Sequence, residues 1–253
     1  MVVSIGTLGQ AANFCAWSAA LGEQARLITR IGNDEDGRRL VAEIEAGGVD
    51  VKAVLSDEPT GAMVELVAPA GKRAAAGRQG AAFGLRPEEL DREWLQGCGL
   101  LHIPADSLFS EPIATASRRA AELARDQGAI LSIDLSSADG VREYGGARLA
   151  LDLAMLRPEL LFASEAEAAE LGTPLEGLAK VPVVKLGVRG ARVFDRIVPA
   201  SRVVAVDATG AGDAFAAAFC GAYLDGATPL EAAGRAVLVG AFAVTRMGAR
   251  PSG

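Results

Sequence analysis

Residues suited to histidine or thiol chemistry are scarce in this chain of 253 residues. Its single histidine, His102, gives a histidine-based metal site or a serine–histidine–aspartate triad little to work with. The three cysteines, Cys15, Cys98 and Cys220, are far apart and match no spacing typical of metal or redox sites. We therefore expect buried, reduced cysteines and a hydrogen-bonded core histidine.

Long apolar runs and basic clusters are also missing. No run reaches the ~18 apolar residues of a membrane helix, and the first residues lack the charged and apolar regions of a signal peptide. A net charge of −7 with scattered arginines argues against a nucleic-acid surface. These absences predict a cytoplasmic protein that binds neither membrane nor nucleic acid.

Apolar runs alternate regularly with helical segments along most of the chain. Strands are predicted at 2–5, 25–31, 100–103, 129–134, 160–163, 181–186 and 203–206, and a hairpin at about 60–80. Since parallel strands joined by helices need right-handed crossovers, the alternation predicts an α/β fold with a doubly wound, mostly parallel sheet and helices on both faces. Ligands of such sheets bind beyond the carboxyl ends of the strands, where Asp134 is one candidate for lining a cleft.

Residues 207–215, Asp-Ala-Thr-Gly-Ala-Gly-Asp-Ala-Phe, carry the strongest chemical signal. The two glycines let a ligand approach the backbone, and the amides at the start of the following helix favour an anion. Asp213 stands in that first turn, where a carboxylate beside a bound phosphoryl group suits proton abstraction. A tight turn with an acidic residue well placed near a helix N-terminus is the alternative.

Two common nucleotide-binding patterns do not fit the chain. A Gly-x-x-x-x-Gly-Lys-Ser/Thr string does not occur, which excludes a P-loop kinase. After the first predicted strand, Leu8 takes the place of the second glycine of a dinucleotide fingerprint. A Rossmann dehydrogenase is therefore a less favoured alternative.

The string at 207–215 resembles the C-terminal signature of the PfkB family of ribokinase-like carbohydrate kinases, although Ala208 replaces the more usual Thr, Ser or Pro. Four further stretches resemble family elements in the family's order: 9–13 the sugar-binding element, 164–167 an Asn-x-x-Glu element, 185–190 the nucleotide turn, and 243–252 the C-terminal segment. Each of the first three departs from the pattern, with Leu8 for a glycine, Ser164 for asparagine and Lys185 for threonine.

The resemblance implies a ribokinase-like fold with a β lid and ATP-dependent phosphorylation of a hydroxyl on a sugar or sugar-like molecule. Asp213 would be the general base, and the amides of Gly210, Ala211, Gly212 and Asp213 the anion hole. The nucleotide would be bound by Ser164, Glu167, Lys185, Gly187, Gly190 and Thr209, and the substrate by Gly9, Asn13 and Arg78. Glu167 would hold Mg²⁺ through water. A monovalent cation, K⁺, would be held mostly by the backbone of Asp207, Thr209, Ala243, Arg246, Gly248 and Ser252.

Plainer interpretations stay open for several of these residues. Asn13 could act only as a helix cap, Glu167 could be an ordinary charge on a solvated helix, and Arg78 a solvated loop residue. Met247 and Gly248 could simply end a helix.

The start of the chain departs most from the family pattern. The family's first core strand, its substrate-binding aspartate and several lid strands normally precede the sugar-binding element, yet only residues 1–8 precede Gly9. We therefore interpret 2–5 as the last lid strand and expect the first core strand and its carboxylate to be absent. Either the natural chain begins upstream of Met1, or the kinase is divergent.

These observations predict one ribokinase-like domain, 1–253, with a reduced lid from residues 1–8 and about 60–80, and a homodimer formed through the lid. Two functions follow: an active sugar kinase, or a non-catalytic or weakly active homologue that binds sugar or nucleotide. Fructose-like, ribose-like and keto-acid sugars remain open as substrates, and a nucleoside is less favoured.

Overall fold

The computed structural model describes residues 1–67 and 73–251. Eleven strands lie in this part of the chain: β1 Val2–Ile5, β2 Ala25–Gly32, β3 Val49–Ser56, β4 Ala62–Val67, β5 Arg73–Arg78, β6 Leu100–Pro104, β7 Ile130–Asp134, β8 Leu160–Ser164, β9 Val181–Lys185, β10 Ala191–Val193 and β11 Arg196–Val198. The α-helices of the same part are α1 Gln10–Ala20, α2 Glu35–Ala46, α3 Ile113–Arg125, α4 Ala138–Tyr144, α5 Gly146–Leu156, α6 Glu165–Leu171, α7 Ala211–Leu224 and α8 Pro229–Ala243.

Nine of these strands form one sheet in the order β11-β10-β9-β8-β7-β6-β1-β2-β3. The seven strands from β9 to β3 run parallel, and β10 and β11 add an antiparallel edge. Successive residues of a strand face opposite sides, so Val2 and Leu100 enter a core with α1, α7 and α8, whereas Val3 and Leu101 enter a core with α3 and α5. The predicted doubly wound α/β architecture is confirmed.

The interpretation of residues 2–5 as a lid strand is wrong. All four residues of β1 are buried, and the strand pairs in parallel with β2 on one side and β6 on the other. A short, mostly apolar run of this kind is typical of a central parallel strand, because both of its faces are covered. The first core strand is therefore present, and α1 begins only a few residues after it, at Gln10.

The predicted hairpin is confirmed as β4 and β5, which pair antiparallel as a separate two-stranded sheet. Its predicted turn at 69–72 lies outside the described residues. The assignment of the lid to this hairpin, and the homodimer through it, stay predictions.

The predicted strand at 203–206 is wrong. These residues are irregular and exposed, and Val204 keeps 85% of its surface in solvent. One backbone bond, from Val206 N to Val244 O at 2.7 Å, ties the run to the end of α8. β-Branched residues favour a strand only where a neighbouring strand offers pairing and cover, and this run lies outside the sheet.

Predictions for the rare residues hold. His102 is buried, its Nδ1 lies 2.9 Å from Ser132 Oγ, and its ring stacks on Phe14 at 3.9 Å. All three cysteines are buried and free. Among the described residues, we find no helix that is both long and apolar enough to cross a membrane.

Candidate active site

A cavity of about 320 Å³ opens between the carboxyl ends of β8 and β9 and the N-terminus of α7. It is lined by Gln10, Ser136, Ser164, Glu167, Lys185, Gly187, Gly210, Gly212 and Asp213. Most of the lining residues were predicted from the sequence as nucleotide or catalytic residues. The cavity therefore brings the predicted phosphoryl-transfer residues together.

The turn into α7 has a backbone that requires glycine. Gly210 precedes the helix with φ 74°, and a Cβ on it would collide with the carbonyl oxygen of Ala249. The amide of Ala211 bonds to Ala208 O at 3.3 Å, which closes the turn. The amides of Gly212 and Asp213 follow in the first helical turn, where no earlier carbonyl of the helix can accept them. They are the part of the predicted anion hole best placed to meet a ligand.

Asp213 lies in that first turn, and its carboxylate is largely enclosed. Burial raises the pKa of Asp213 to about 7, while a hydrogen bond from Asn13 lowers it and the nearby Asp134 raises it. Asn13 Nδ2 donates to Asp213 Oδ2 at 2.8 Å. A carboxylate with a pKa near neutrality has the proton affinity that a general base at this pH needs.

A buried ion pair lies beside Asp213. Lys185, at the end of β9, donates from Nζ to Oδ2 of Asp134, at the end of β7, over 2.6 Å. The Asp134 and Lys185 side chains are only 6% and 17% exposed. Burial favours a lower pKa for Lys185, but the charges of Asp134 and Glu167 outweigh it, so the pKa is raised and the ammonium form persists. This ammonium lies close to Gly212 at the start of α7, since a Cβ on Gly212 would be 3.3 Å from Nζ.

Glu167 is a capping residue rather than a charge on a solvated helix. Ser164 Oγ accepts the Glu167 amide at 3.2 Å, and Glu167 Oε2 accepts the Ser164 amide at 2.6 Å, which forms a capping box at the start of α6. Glu167 is buried, and this burial raises its pKa. The box orients the carboxylate along one wall of the cavity.

The predicted nucleotide turn follows β9. Gly187 and Gly190 both have positive φ, 59° and 99°, and a Cβ on Gly190 would collide with Val198 O. Gly187 lines the cavity, whereas Gly190 closes the turn behind it by accepting the Leu186 amide at 2.8 Å. Thr209 is outside the lining as well and bonds to Asp207.

Of the predicted substrate residues, the structure brings one, Asn13, into direct contact with Asp213. Asn13 bonds to Asp213 and does not cap α1, which begins at Gln10 without a side-chain cap bond. Gly9 is the residue before α1, and Arg78 is exposed at the end of β5 and donates to Thr60 O at 2.9 Å. Neither lines the cavity.

Three of the predicted monovalent-cation residues, Asp207, Thr209 and Gly248, meet at the loop before α7. Asp207 Oδ1 accepts from the amide of Thr209 at 2.9 Å, and its Oδ2 accepts from the amide of Gly248 at 3.0 Å. Ala243 is the last residue of α8, Arg246 places its guanidinium over Phe242, and Ser252 lies outside the described residues. Nowhere in residues 1–67 and 73–251 do three His, Cys, Asp or Glu side chains gather as a metal-binding set.

Two charged residues near the site were missed. Asp106 follows β6; burial raises its pKa to about 6, although Ser107 and Thr7 donate to it and lower it. Arg250 donates from Nε to Asn13 Oδ1 at 3.1 Å and from Nη2 to Leu8 O at 2.8 Å. The position of Asp106 beyond a parallel strand was a usable signal, whereas nothing local points to Arg250.

Comparisons with known proteins identify the family. The sequence model of the pfkB family of carbohydrate kinases matches residues 2–252. The chain belongs to the PfkB family. This confirms the predicted family, and with it an ATP-binding carbohydrate kinase.

Relatives of the PfkB chain include sugar and sugar-phosphate kinases. It is similar to the ATP-dependent ribose-1-phosphate kinase of Halopiger xanaduensis, with 32% identity over 96% of this chain and 81% of that protein. It is also similar to fructokinase-1 of Zea mays, with 30% identity over 96% of this chain and 84% of that protein.

Solved structures show the same fold. A protein described as a ribokinase II from E. coli, in complex with ATP and Mg²⁺, aligns with a TM-score of 0.87 and 26% identity, over 98% of this chain and 94% of that one. An adenosine kinase from Sinorhizobium meliloti aligns with the same TM-score and identity, over 96% and 79%.

Proposed function

We propose that this PfkB protein transfers the γ-phosphoryl group of ATP to a hydroxyl of a sugar or sugar-like molecule, with Asp213 as the general base. The single observation that carries this proposal is the placement of Asp213. Its carboxylate, with a pKa of about 7, stands in the first turn of α7, beside the amides of a glycine turn and the Lys185 ammonium. The proposed base, the proposed anion-binding amides and the Lys185 ammonium thus all lie at one cavity.

In the proposed reaction, Asp213 accepts the proton of the attacking hydroxyl as its oxygen bonds to the γ-phosphorus, and ADP leaves. The amides of Gly212 and Asp213, with the turn at Gly210 and Ala211, stabilise the charge on the phosphoryl oxygens. Lys185 adds a fixed positive charge next to this turn. The Asp134 carboxylate holds that ammonium in place before ATP binds.

The residues present fit Mg²⁺ held mostly through water. Mg²⁺ retains several waters and commonly binds one or two carboxylates together with substrate phosphates, and Glu167 presents such a carboxylate in the cavity wall. When bound, Mg²⁺ would neutralise phosphate charge. We also propose that backbone carbonyls around Asp207 and the end of α8 hold K⁺.

On the sugar side, Asn13 and Asp106 are the proposed contacts for substrate hydroxyls. Asp106 is a second half-buried carboxylate, close enough to raise the pKa of Asp213. It offers an acceptor of the kind that we expected to be absent. A non-catalytic homologue is favoured only if the first core strand is absent. Because β1 is present in the sheet, this reason no longer applies.

A coupled assay of ADP release tests the proposal. The panel should contain ribose, ribose 1-phosphate, fructose, 2-dehydro-3-deoxygluconate and nucleosides. We expect release well above the ATP-only background with at least one sugar or sugar derivative. Calorimetry that detects sugar or nucleotide binding, while no member of the panel releases ADP, would support the binding homologue instead.

The pH dependence of kcat/KM is a second prediction. Because Asp213 must be ionised to accept a proton, and its pKa is raised to about 7, kcat/KM should fall by about tenfold per pH unit below 7 and level off above it. The measurement is kcat/KM from pH 5 to 9 at constant ionic strength. In Asp106→Asn, the acidic limb should persist but move to slightly lower pH, because the charge of Asp106 contributes to the raised pKa of Asp213. A flat wild-type profile would contradict the role of Asp213.

A further inference from the structure

We infer that Arg250 is a positioning residue for the general base: it orients the Asn13 amide so that the amide donates to Asp213. This inference rests on the proposed function for the role of Asp213. Arg250 lies beyond α8, whereas Asn13 lies in the first turn of α1. A chain of hydrogen bonds joins the three residues, 3.1 Å from Arg250 Nε to Asn13 Oδ1 and 2.8 Å from Asn13 Nδ2 to Asp213 Oδ2.

The chemistry on the two sides of Asn13 selects one orientation of its amide. A guanidinium can only donate hydrogen bonds, and an ionised carboxylate can only accept them. The amide oxygen must therefore face Arg250 and the amide nitrogen must face Asp213. The reversed amide would place its oxygen against the carboxylate and its N–H groups against the guanidinium, which leaves all four groups mismatched.

Burial makes this selection strong. Asn13 is 8% exposed, so water is poorly placed to replace a lost partner. Arg250 is itself anchored, because its Nη2 donates to Leu8 O at 2.8 Å and the neighbouring Ala249 O accepts from Trp17 Nε1 at 3.0 Å. Without Arg250, the Asn13 oxygen loses the one donor that the described contacts give it, and the amide is free to rotate away from Asp213.

The expected consequence can be measured at Asp213. The hydrogen bond from Asn13 lowers the Asp213 pKa against the effect of burial, so weakening that bond should raise the pKa. In the variant Arg250→Met, we expect the Asp213 titration to move to higher pH, together with the acidic limb of kcat/KM. We expect kcat at pH 7 to fall by about tenfold, which is comparable to the lower end of the loss seen when a residue that orients a metal ligand is replaced.

The experiment follows the Asp213 carboxyl by ¹³C NMR as a function of pH, in wild type, Arg250→Met, Asn13→Ala and the double variant. If Arg250 acts through Asn13, the double variant should titrate like Asn13→Ala alone. Arg250→Lys keeps a donor, so its Asp213 titration should lie between those of wild type and Arg250→Met. Arg235→Met, an exposed arginine on α8, is the matched control and should titrate like wild type.

An unchanged Asp213 titration in Arg250→Met, or a double variant whose shift is the sum of the two single ones, would overturn the inference. If Arg250→Met does not fold, Arg250→Gln is compared with Arg250→Lys, because glutamine can present either a donor or an acceptor to Asn13 and no longer selects one orientation of its amide. Asp213 should then titrate at higher pH in Arg250→Gln than in Arg250→Lys, and equal titrations in these two variants and wild type would overturn the inference. The NMR titration needs no turnover. A failure of the kinase proposal, seen as full activity in Asp213→Asn, is therefore distinct from a failure of the positioning role.

Discussion

Replacing Asp213 by asparagine is expected to lower kcat by about 10²–10⁴, while the fold and ATP binding are retained. Asparagine has the same shape and can still bond within the site, but it accepts no proton from a substrate hydroxyl. The substitution should also be tolerated structurally, because burial already favours the neutral form of this side chain. The measurements are kcat with the best substrate of the panel, the ATP dissociation constant by calorimetry, and the thermal unfolding midpoint.

The matched control is Asp225→Asn, which changes an exposed aspartate just after α7. Its kcat should equal that of wild type.

The pH dependence of stability gives a further test of the raised Asp213 pKa. A raised carboxyl pKa means that the folded state binds more protons than the unfolded state between about pH 4 and 7, so wild-type stability falls as pH rises through this window. Asp213→Asn should lack this part of the fall. Unchanged kcat in Asp213→Asn would refute the assignment of Asp213 as the base.

Replacing Lys185 by methionine is expected to lower the free energy of unfolding by about 3–5 kcal/mol, the usual cost of removing one partner of a buried ion pair. The substitution leaves Asp134, 4% exposed, without its cation and close to Glu167 and Asp213. ATP affinity should fall as well, because the fixed charge near the α7 amides is lost. Urea unfolding at pH 7 and calorimetry measure the two effects.

The double variant Lys185→Met with Asp134→Asn separates these effects, since it removes the uncompensated carboxylate. It should recover much of the stability and none of the ATP affinity. Lys180→Met is the control, because Lys180 is 70% exposed and pairs only at the surface with Glu159. A Lys185→Met variant as stable as this control, with wild-type ATP affinity, would mean that the ion pair serves neither folding nor nucleotide binding.

The parts of the fold that could be predicted are those that a local sequence pattern determines. β6, β7 and β9 were found because buried parallel strands are short apolar runs, and Asp213 was correctly expected in the first turn of the helix that follows the glycine turn. The same run in β1 says that a strand is buried but not which sheet it joins, so the lid assignment failed. The run at 203–206 has strand propensity without a pairing partner, which only the assembled fold reveals.

At the site, local sequence patterns identified single residues but not the residues that they contact. The Ser164–Glu167 spacing is a readable capping box, and the glycine turn before Asp213 has a clear chemical reason. The contact of Arg250 with Asn13 joins residues 237 positions apart, and the ion pair of Lys185 with Asp134 depends on the order of strands in the sheet. Such contacts follow from topology, which no local spacing encodes.

The segment after α8 is attached to the site at several points. Gly248 donates to Asp207, Ala249 accepts from Trp17 and lies against Gly210, and Arg250 donates to Asn13. Detachment of this segment would release the glycine turn and the Asn13–Asp213 contact at the same moment. If Asp213 is the base, we expect local opening to abolish catalysis as well. Hydrogen exchange at the Gly248 amide, which donates to Asp207, should therefore measure how often this segment opens, and a ligand that binds only the closed form should slow the exchange.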